Sequence, residues 1–217
     1  LEAVTVNKSF HVDQNHPSAE VVNLAATRLR DGGVVVFPTE TVYGLGALAE
    51  AGVCYGAEEL FDIKERPLDL PVPLLVASPA DIDVYGVDVP EYAYLLARAF
   101  WPGALTLVVK ASDRIRKEFR AADGSIGLRC PDSELMHELL ETAGGPIFAT
   151  SANTHGRPSP TSFEQIEPRI IEAADMVIDG GPTDHGVAST VVVCTGKEYR
   201  IAREGAISSL EIAEALA

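Results

Sequence analysis

Short apolar runs, such as residues 34–37, 105–110 and 146–150, recur along this chain. They alternate with windows in which apolar residues return every three or four positions. Runs of the first kind are strands and windows of the second are amphipathic helices, and one large sheet with helices packed on it buries both at once. Val21, Val22, Ala25 and Leu29 mark the buried face of a helix over 18–30, which Gly32 and Gly33 stop. Residues 34–37 read as a buried strand closed by Pro38, and 39–46 as a Gly-rich loop. A helix over 57–64 must end before Pro67, whose ring disfavours the α conformation of the residue ahead, so Arg66 should be extended. Beyond it the pattern predicts strands at 72–77, 105–110, 125–129, 146–150, 176–179, 190–194 and 199–202. It predicts helices at 90–100, at 132–142 with Asp132 as cap, and at 163–173. The close spacing of the last strands implies antiparallel pairing there, and hence a mixed sheet.

With 217 residues, 47% of them hydrophobic, the chain can bury one sizeable core and is short for two. Its 14 prolines and 18 glycines are spread along the sequence, so no linker and no internal boundary suggests itself. No apolar run approaches the roughly 20 residues of a membrane span, and no signal-peptide pattern opens the chain. A cytoplasmic protein without a membrane segment is the expectation. Cys54, Cys130 and Cys194 are odd in number and far apart, which fits neither a disulfide framework nor a paired zinc site and points to buried reduced thiols. The formal net charge of −15 opposes broad adhesion to nucleic acid, so any anion site must be a local basic pocket.

Three segments carry groups suited to chemistry. Lys64 and Arg66 lie two apart where a helix gives way to extended chain. There they can converge on a polyphosphate, or simply complement the carbonyl end of the helix. Ser151 and Asn153 follow an apolar strand and would share one face, offering a hydroxyl and an amide to a ligand at a strand end, or bonding their own backbone as turn residues do. The stretch 38–46 combines hydroxyls and glycines around Thr41 and Tyr43. It matches no classical phosphate-loop or dinucleotide pattern and serves equally as a tight turn. The five histidines lack metal spacing, and no nucleophile elbow is present.

Taken in order, FPTETVYGLGA (37–47), KERP (64–67), FWPGALTLVV (100–109), IGLRCPD (126–132), IFATSAN (147–153), GRPSPT (156–161), IDGGPTDHGVASTVV (178–192) and REGAI (203–207) resemble the YrdC-like family, whose members include threonylcarbamoyl-AMP synthases. The likeness spans residues 18–207, with 1–17 as an N-terminal extension and 208–217 as a C-terminal helix. It implies an α/β fold: a single domain with a large, concave, twisted, mixed sheet flanked by helices, whose hollow holds ATP and threonine. By position it assigns Lys64, Arg66, Ser151, Asn153, Ser159 and Arg203 to ATP, and Thr41, Arg66 and Ser189 to threonine. Lys64 and Arg66 are the catalytic pair. Tyr43, Thr106 and Arg129 belong to family motifs without so definite a role. Two positions depart from the pattern: His155 stands where a small hydroxyl residue is frequent, and Leu75 about where many members carry a histidine. The chain ends soon after REGAI, so the extra C-terminal domain of longer members is not expected.

The chemistry this resemblance implies joins L-threonine, bicarbonate or CO2, and ATP with its Mg2+, releasing pyrophosphate. A separate threonylcarbamoyl transferase would then act on tRNA. Two rivals stand beside it: a double-stranded RNA-binding module, which the net acidity opposes, and a carbamoyl-transfer relative with another acceptor. Weak or no direct RNA binding is expected. The resemblance sets Arg66 between the threonine carboxylate and the phosphates, where a planar fork can serve two anions and an ammonium cannot. Arg66→Lys is therefore expected to abolish threonine-dependent pyrophosphate release while thermal melting without ligand stays near wild type. Near-normal release would reduce Arg66 to a charge beside a helix end.

Overall fold

The structure, a computed structural model, describes residues 8–49, 55–65 and 72–217. In chain order its strands are β1 (Ser9–His11), β2 (Val35–Pro38), β3 (Tyr43–Leu48), β4 (Leu74–Leu75), β5 (Leu105–Lys110), β6 (Ser125–Arg129), β7 (Ile147–Ser151), β8 (Met176–Asp179), β9 (Thr190–Val193) and β10 (Arg200–Arg203). Its α-helices are α1 (Ala19–Arg30), α2 (Tyr55–Lys64), α3 (Ile82–Tyr85), α4 (Glu91–Phe100), α5 (Glu134–Ala143), α6 (Pro168–Ala173) and α7 (Ser209–Glu214). All ten strands join one mixed sheet in the order β1-β8-β2-β3-β7-β4-β6-β5-β9-β10. The expected antiparallel pairing of the last strands holds for β9 with β10, whereas β9 runs parallel to β5.

The sheet separates two cores. On one face Leu45, Leu74, Leu107, Leu128 and Val192 pack with Leu60 of α2, Leu96 of α4, Ile170 of α6 and Ile212 of α7. On the other, Val35, Phe37, Leu75, Ile147 and Met176 meet Val22, Ala25 and Leu29 of α1 and Leu135, Met136 and Leu139 of α5. The helices form for local reasons. Arg28 and Arg30 complement the carbonyl end of α1. The Ser133 hydroxyl accepts from Met136 N to open α5, and Gly144, at φ 84°, closes it in the left-handed region. Among the described residues no helix is long and apolar enough to cross a membrane.

Four local expectations need correction. The cap of α5 is Ser133, not Asp132, because the Asp132 amide is turned to the Glu40 carboxylate. The helix expected over 163–173 is split into a 3-10 turn, Phe163–Gln165, and α6. Glu167 precedes Pro168 and is driven to extended backbone with ψ 132°. The strand expected over 72–77 forms ladder pairs only at Leu74 and Leu75, since Pro73 has no amide to donate. The Gly-rich loop expected over 39–46 is instead a hairpin, with a turn closed by Thr39 N donating to Val42 O (3.2 Å) and then β3.

The glycines of β3 serve close packing. A Cβ on Gly46 would lie 2.7 Å from Cε1 and Cζ of Phe37 and 2.7 Å from Cγ2 of Ile147. Gly46→Ala must push the Phe37 ring aside, and overpacking of this kind costs about 1–3 kcal/mol. The expected outcome is a lower denaturation midpoint in urea with an unchanged slope. An unshifted midpoint would show that the ring has room to move.

Candidate active site

Strand pleating sends alternate residues to opposite faces, and the second face is only partly covered by α1 and α5. On the remainder lies a cavity of about 360 Å³. Its walls follow the alternation. Ser125, Gly127 and Arg129 of β6, Thr106 and Val108 of β5, Ser189 with Val191 of β9, and Ala149 and Ser151 of β7 point into it, while Leu107, Leu128 and Val192 point to the larger core. Phe37, Leu75 and Ala149 border both the cavity and the α1–α5 core, so the packing of that core shapes one wall.

Among the described residues two guanidinium groups reach the cavity, those of Arg129 and Arg203. Arg129 is almost fully buried; its Nε donates to Gly103 O at 3.2 Å. Arg203 folds back on Ser189, with Nη2 2.8 Å and Nε 3.1 Å from Ser189 O. Although Arg203 is exposed overall, partial desolvation of its guanidinium against Ser189, and then the neighbouring Arg129 charge, lower its pKa below the usual arginine value. Two mutually repelling cations beside one cavity are relieved by an anion between them. Adjoining them, the buried hydroxyls of Thr106 and Ser189 share a hydrogen bond of 2.9 Å, a pair able both to donate and to accept. The chain beyond β10 is pinned under this wall. Thr190 Oγ1 accepts from Gly205 N and Ile207 N, and a Cβ on Gly205 would run into the Ala188 carbonyl oxygen.

Lys64 is 3% exposed. Its Nζ donates to Ser151 O (2.6 Å), Asn153 O (2.9 Å), Asn153 Oδ1 (3.1 Å) and Ser151 Oγ (3.2 Å). The ammonium at the end of α2 thus gathers the loop after β7. Asn153 completes the loop by donating through Nδ2 to Thr154 O and Arg157 O. From outside, Arg169 of α6 donates to Thr154 Oγ1, and Glu167 accepts from Thr154 N. That amide bond, aided by Arg157 and Arg169, holds the Glu167 carboxyl below its ordinary range.

Of the residues singled out in the sequence, Thr106, Arg129, Ser151, Ser189 and Arg203 line the cavity. Lys64 and Asn153 join Ser151 as its supports. Thr41 is fully buried one step back, its hydroxyl 2.8 Å from that of Thr39, which does line the cavity. Tyr43 is buried too. Its hydroxyl donates to Gly181 O and accepts from Gly180 N, and burial pushes the phenol well above its ordinary pKa, so it anchors a turn. Ser159 sits half-buried in the loop beyond Asn153, away from the cavity lining. Arg66 lies outside the described residues. Leu75 is a wall residue and His155 is exposed, its amide on Lys64 O. Cys130 and Cys194 are buried free thiols, pushed by burial up to about 11 and about 12, and Cys54 lies outside the described residues.

The sequence reading passed over Ser125, and took in Thr39 and Glu40 only as members of the stretch 38–46, with no role of their own. Ser125 was detectable, since it shares the parity of Arg129 along β6. Glu40 was not. Its Oε1 lies 2.7 Å from Arg129 Nη2 and accepts from Asp132 N at 3.1 Å, both far away along the chain.

A family model covering Sua5, YciO and YrdC, and described as telomere recombination, matches residues 27–205. The chain is 38% identical to threonylcarbamoyl-AMP synthase of Pyrococcus abyssi over 88% of its own length, and spans 56% of that relative. Among solved structures, P. abyssi Sua5 complexed with L-threonine superposes with a TM-score of 0.90 at 35% identity, over 96% of this chain and 60% of that one. YciO of Escherichia coli superposes with a TM-score of 0.84 at 25% identity, over 95% of this chain and 99% of that one. With the family pattern running through β2 to β10 and so carrying every wall of the cavity, the chain belongs to the Sua5/YciO/YrdC family.

Proposed function

We propose that the chain is an L-threonylcarbamoyladenylate synthase, a nucleotidyltransferase that makes threonylcarbamoyl-AMP and pyrophosphate from L-threonine, bicarbonate or CO2, and ATP. The observation that carries this reading is the joining, in one small cavity, of two guanidinium groups with the Thr106–Ser189 hydroxyl pair. A small molecule bearing both a carboxylate and a hydroxyl suits such walls, and the Pyrococcus relative was solved with L-threonine. In this reading Thr106 and Ser189 meet the threonine side chain and Arg129 its carboxylate. Arg203 and the loop of Ser151 and Asn153 face the nucleotide, with Ser159 on the phosphate side and Arg66 between the phosphates and the threonine carboxylate.

The reaction forms a carbamate when the threonine amine adds to CO2 and sheds a proton. A carbamate oxygen then attacks the α-phosphorus, and the bond to the β-phosphate breaks with pyrophosphate as leaving group. Two anions must approach each other, so the protein contributes position and opposing positive charge rather than a nucleophile. Mg2+ enters with its nucleotide. When bound, that ion would offset phosphate charge; among the described residues there is no group of three or more carboxylates, histidines or cysteines placed to hold a metal by themselves. The product, a mixed anhydride, suits a cytoplasmic threonylcarbamoyl transferase acting on tRNA.

Pyrophosphate release is expected to require ATP, bicarbonate and threonine together, with alanine a poor substitute because it leaves the buried hydroxyl pair unmatched. Equal release with alanine would favour a carbamoyl-transfer enzyme with another acceptor. Lys64→Met would leave several carbonyl and side-chain oxygens of the loop after β7 without their donor. It should therefore lower both the melting temperature and the affinity for ATP, read by thermal unfolding with and without nucleotide. A variant with wild-type melting and wild-type ATP affinity would remove Lys64 from the site's support.

A further inference from the structure

Glu40 contributes nothing to the cavity lining, yet it is 5% exposed and its carboxylate is set directly behind Arg129. Burying an ion pair is costly unless both partners are well hydrogen-bonded. Here they are not. Among the described residues the buried Glu40 Oε2 has no hydrogen-bond partner, and Arg129 Nη2, although 2.7 Å from Oε1, lies off the hydrogen-bond angle. A pair so incompletely satisfied adds little stability, and its retention calls for another reason. The surroundings supply one. Thr106 and Arg129 lie one residue beyond the paired Leu107 and Leu128, so the guanidinium stands across from the Thr106–Ser189 hydroxyl pair. Arg203 already feels the Arg129 charge. One carboxylate behind Arg129 leaves these three groups with a single net positive charge and fixes the direction in which the guanidinium fork opens.

We propose that Glu40 is a positioning residue for Arg129, aiming its guanidinium at the carboxylate of the amino-acid substrate. It also tunes the cavity to one such carboxylate, discriminating against a second phosphate at that place. The backbone of Glu40 ties the same point to the opposite wall, since its carbonyl accepts from His185 N at 2.8 Å. Thr183 Oγ1 donates to the adjacent Thr41 O at 2.9 Å, and the loop that leads to Ser189 and β9 follows. The turn at 39–42 thereby sets Arg129 and Ser189 together. This inference rests on the synthase reading above.

The test is a double-mutant cycle on the whole chain, with KM for L-threonine and for ATP taken from pyrophosphate release. Glu40→Gln keeps the shape and removes the charge. It should raise the KM for threonine about tenfold, the size of one charge-assisted contact, with the KM for ATP within about twofold of wild type. In an Arg129→Met background the same change should add nothing, because Glu40 acts through Arg129. Should Glu40→Gln fail to fold, Glu40→Asp replaces it in the cycle; it keeps the charge but withdraws it by a methylene, and a smaller rise in the KM for threonine is expected. The double variant, with neither buried charge, should melt no lower than Arg129→Met alone. An unchanged KM for threonine, an equal rise in both KM values, or an effect of the same size with and without Arg129 would each refute the positioning role. Wild type run alongside separates the two levels: without threonine-dependent release from it, the synthase reading itself falls.

Discussion

Because side chains alternate across a strand, fixing the register of β5, β6, β7 and β9 fixes which residues can meet in the cavity. Ser125, Gly127 and Arg129 share one face with Thr106, Ser189 and Ser151, and a slip of one position would exchange all of them for Ile126, Leu128 and Leu107. That exchange would bury charge in the larger core and expose leucine to solvent. The hydrophobic core under the opposite face therefore specifies the site: the same period that hides the leucines presents the polar groups. The incomplete cover of the second face by α1 and α5 then decides where the space is left.

Much of this was legible in the sequence, and the failures have physical causes. Helix periodicity marked α1 and α4, and the apolar runs marked β5 and β6, because these elements bury one face against a core and their patterns are local. β3 was misread as loop because Gly44 and Gly46 look like turn residues. They are glycines because the Phe37 ring on the neighbouring strand occupies the space of a Cβ, a fact that pairing alone reveals. The split of the helix over 163–173 was readable from Pro168 but was outweighed by the apolar spacing.

The candidate site was legible to a different degree. The order of the motifs collected Ser151, Ser189, Arg129 and Arg203, which the fold does bring to one cavity. Distances along the chain hid how they support each other. Lys64 reads as a phosphate ligand from its place beside Arg66, but its ammonium is engaged by the loop after β7, and Asn153 closes that loop from the other side. A lysine held this way shapes the loop that carries Ser151 to the cavity. Glu40, one residue from Thr41 in the same motif, carried no signal because its partner is brought to it only by the fold.

The charge of −15 and the basic cavity are compatible because they act over different ranges. In physiological salt the Debye length is about 8 Å, so the field of distant surface carboxylates is largely screened at the cavity, whereas the buried Arg129 is screened far less than the exposed Arg203. Among the described residues, an anion entering the cavity therefore meets chiefly the two guanidinium groups, with the Glu40 carboxylate 2.7 Å from that of Arg129. Nucleic acid, needing many cations over a wide surface, gains nothing comparable from so local a site. The same chain can thus offer positive charge to a small anion at one point while its sequence carries a formal net charge of −15.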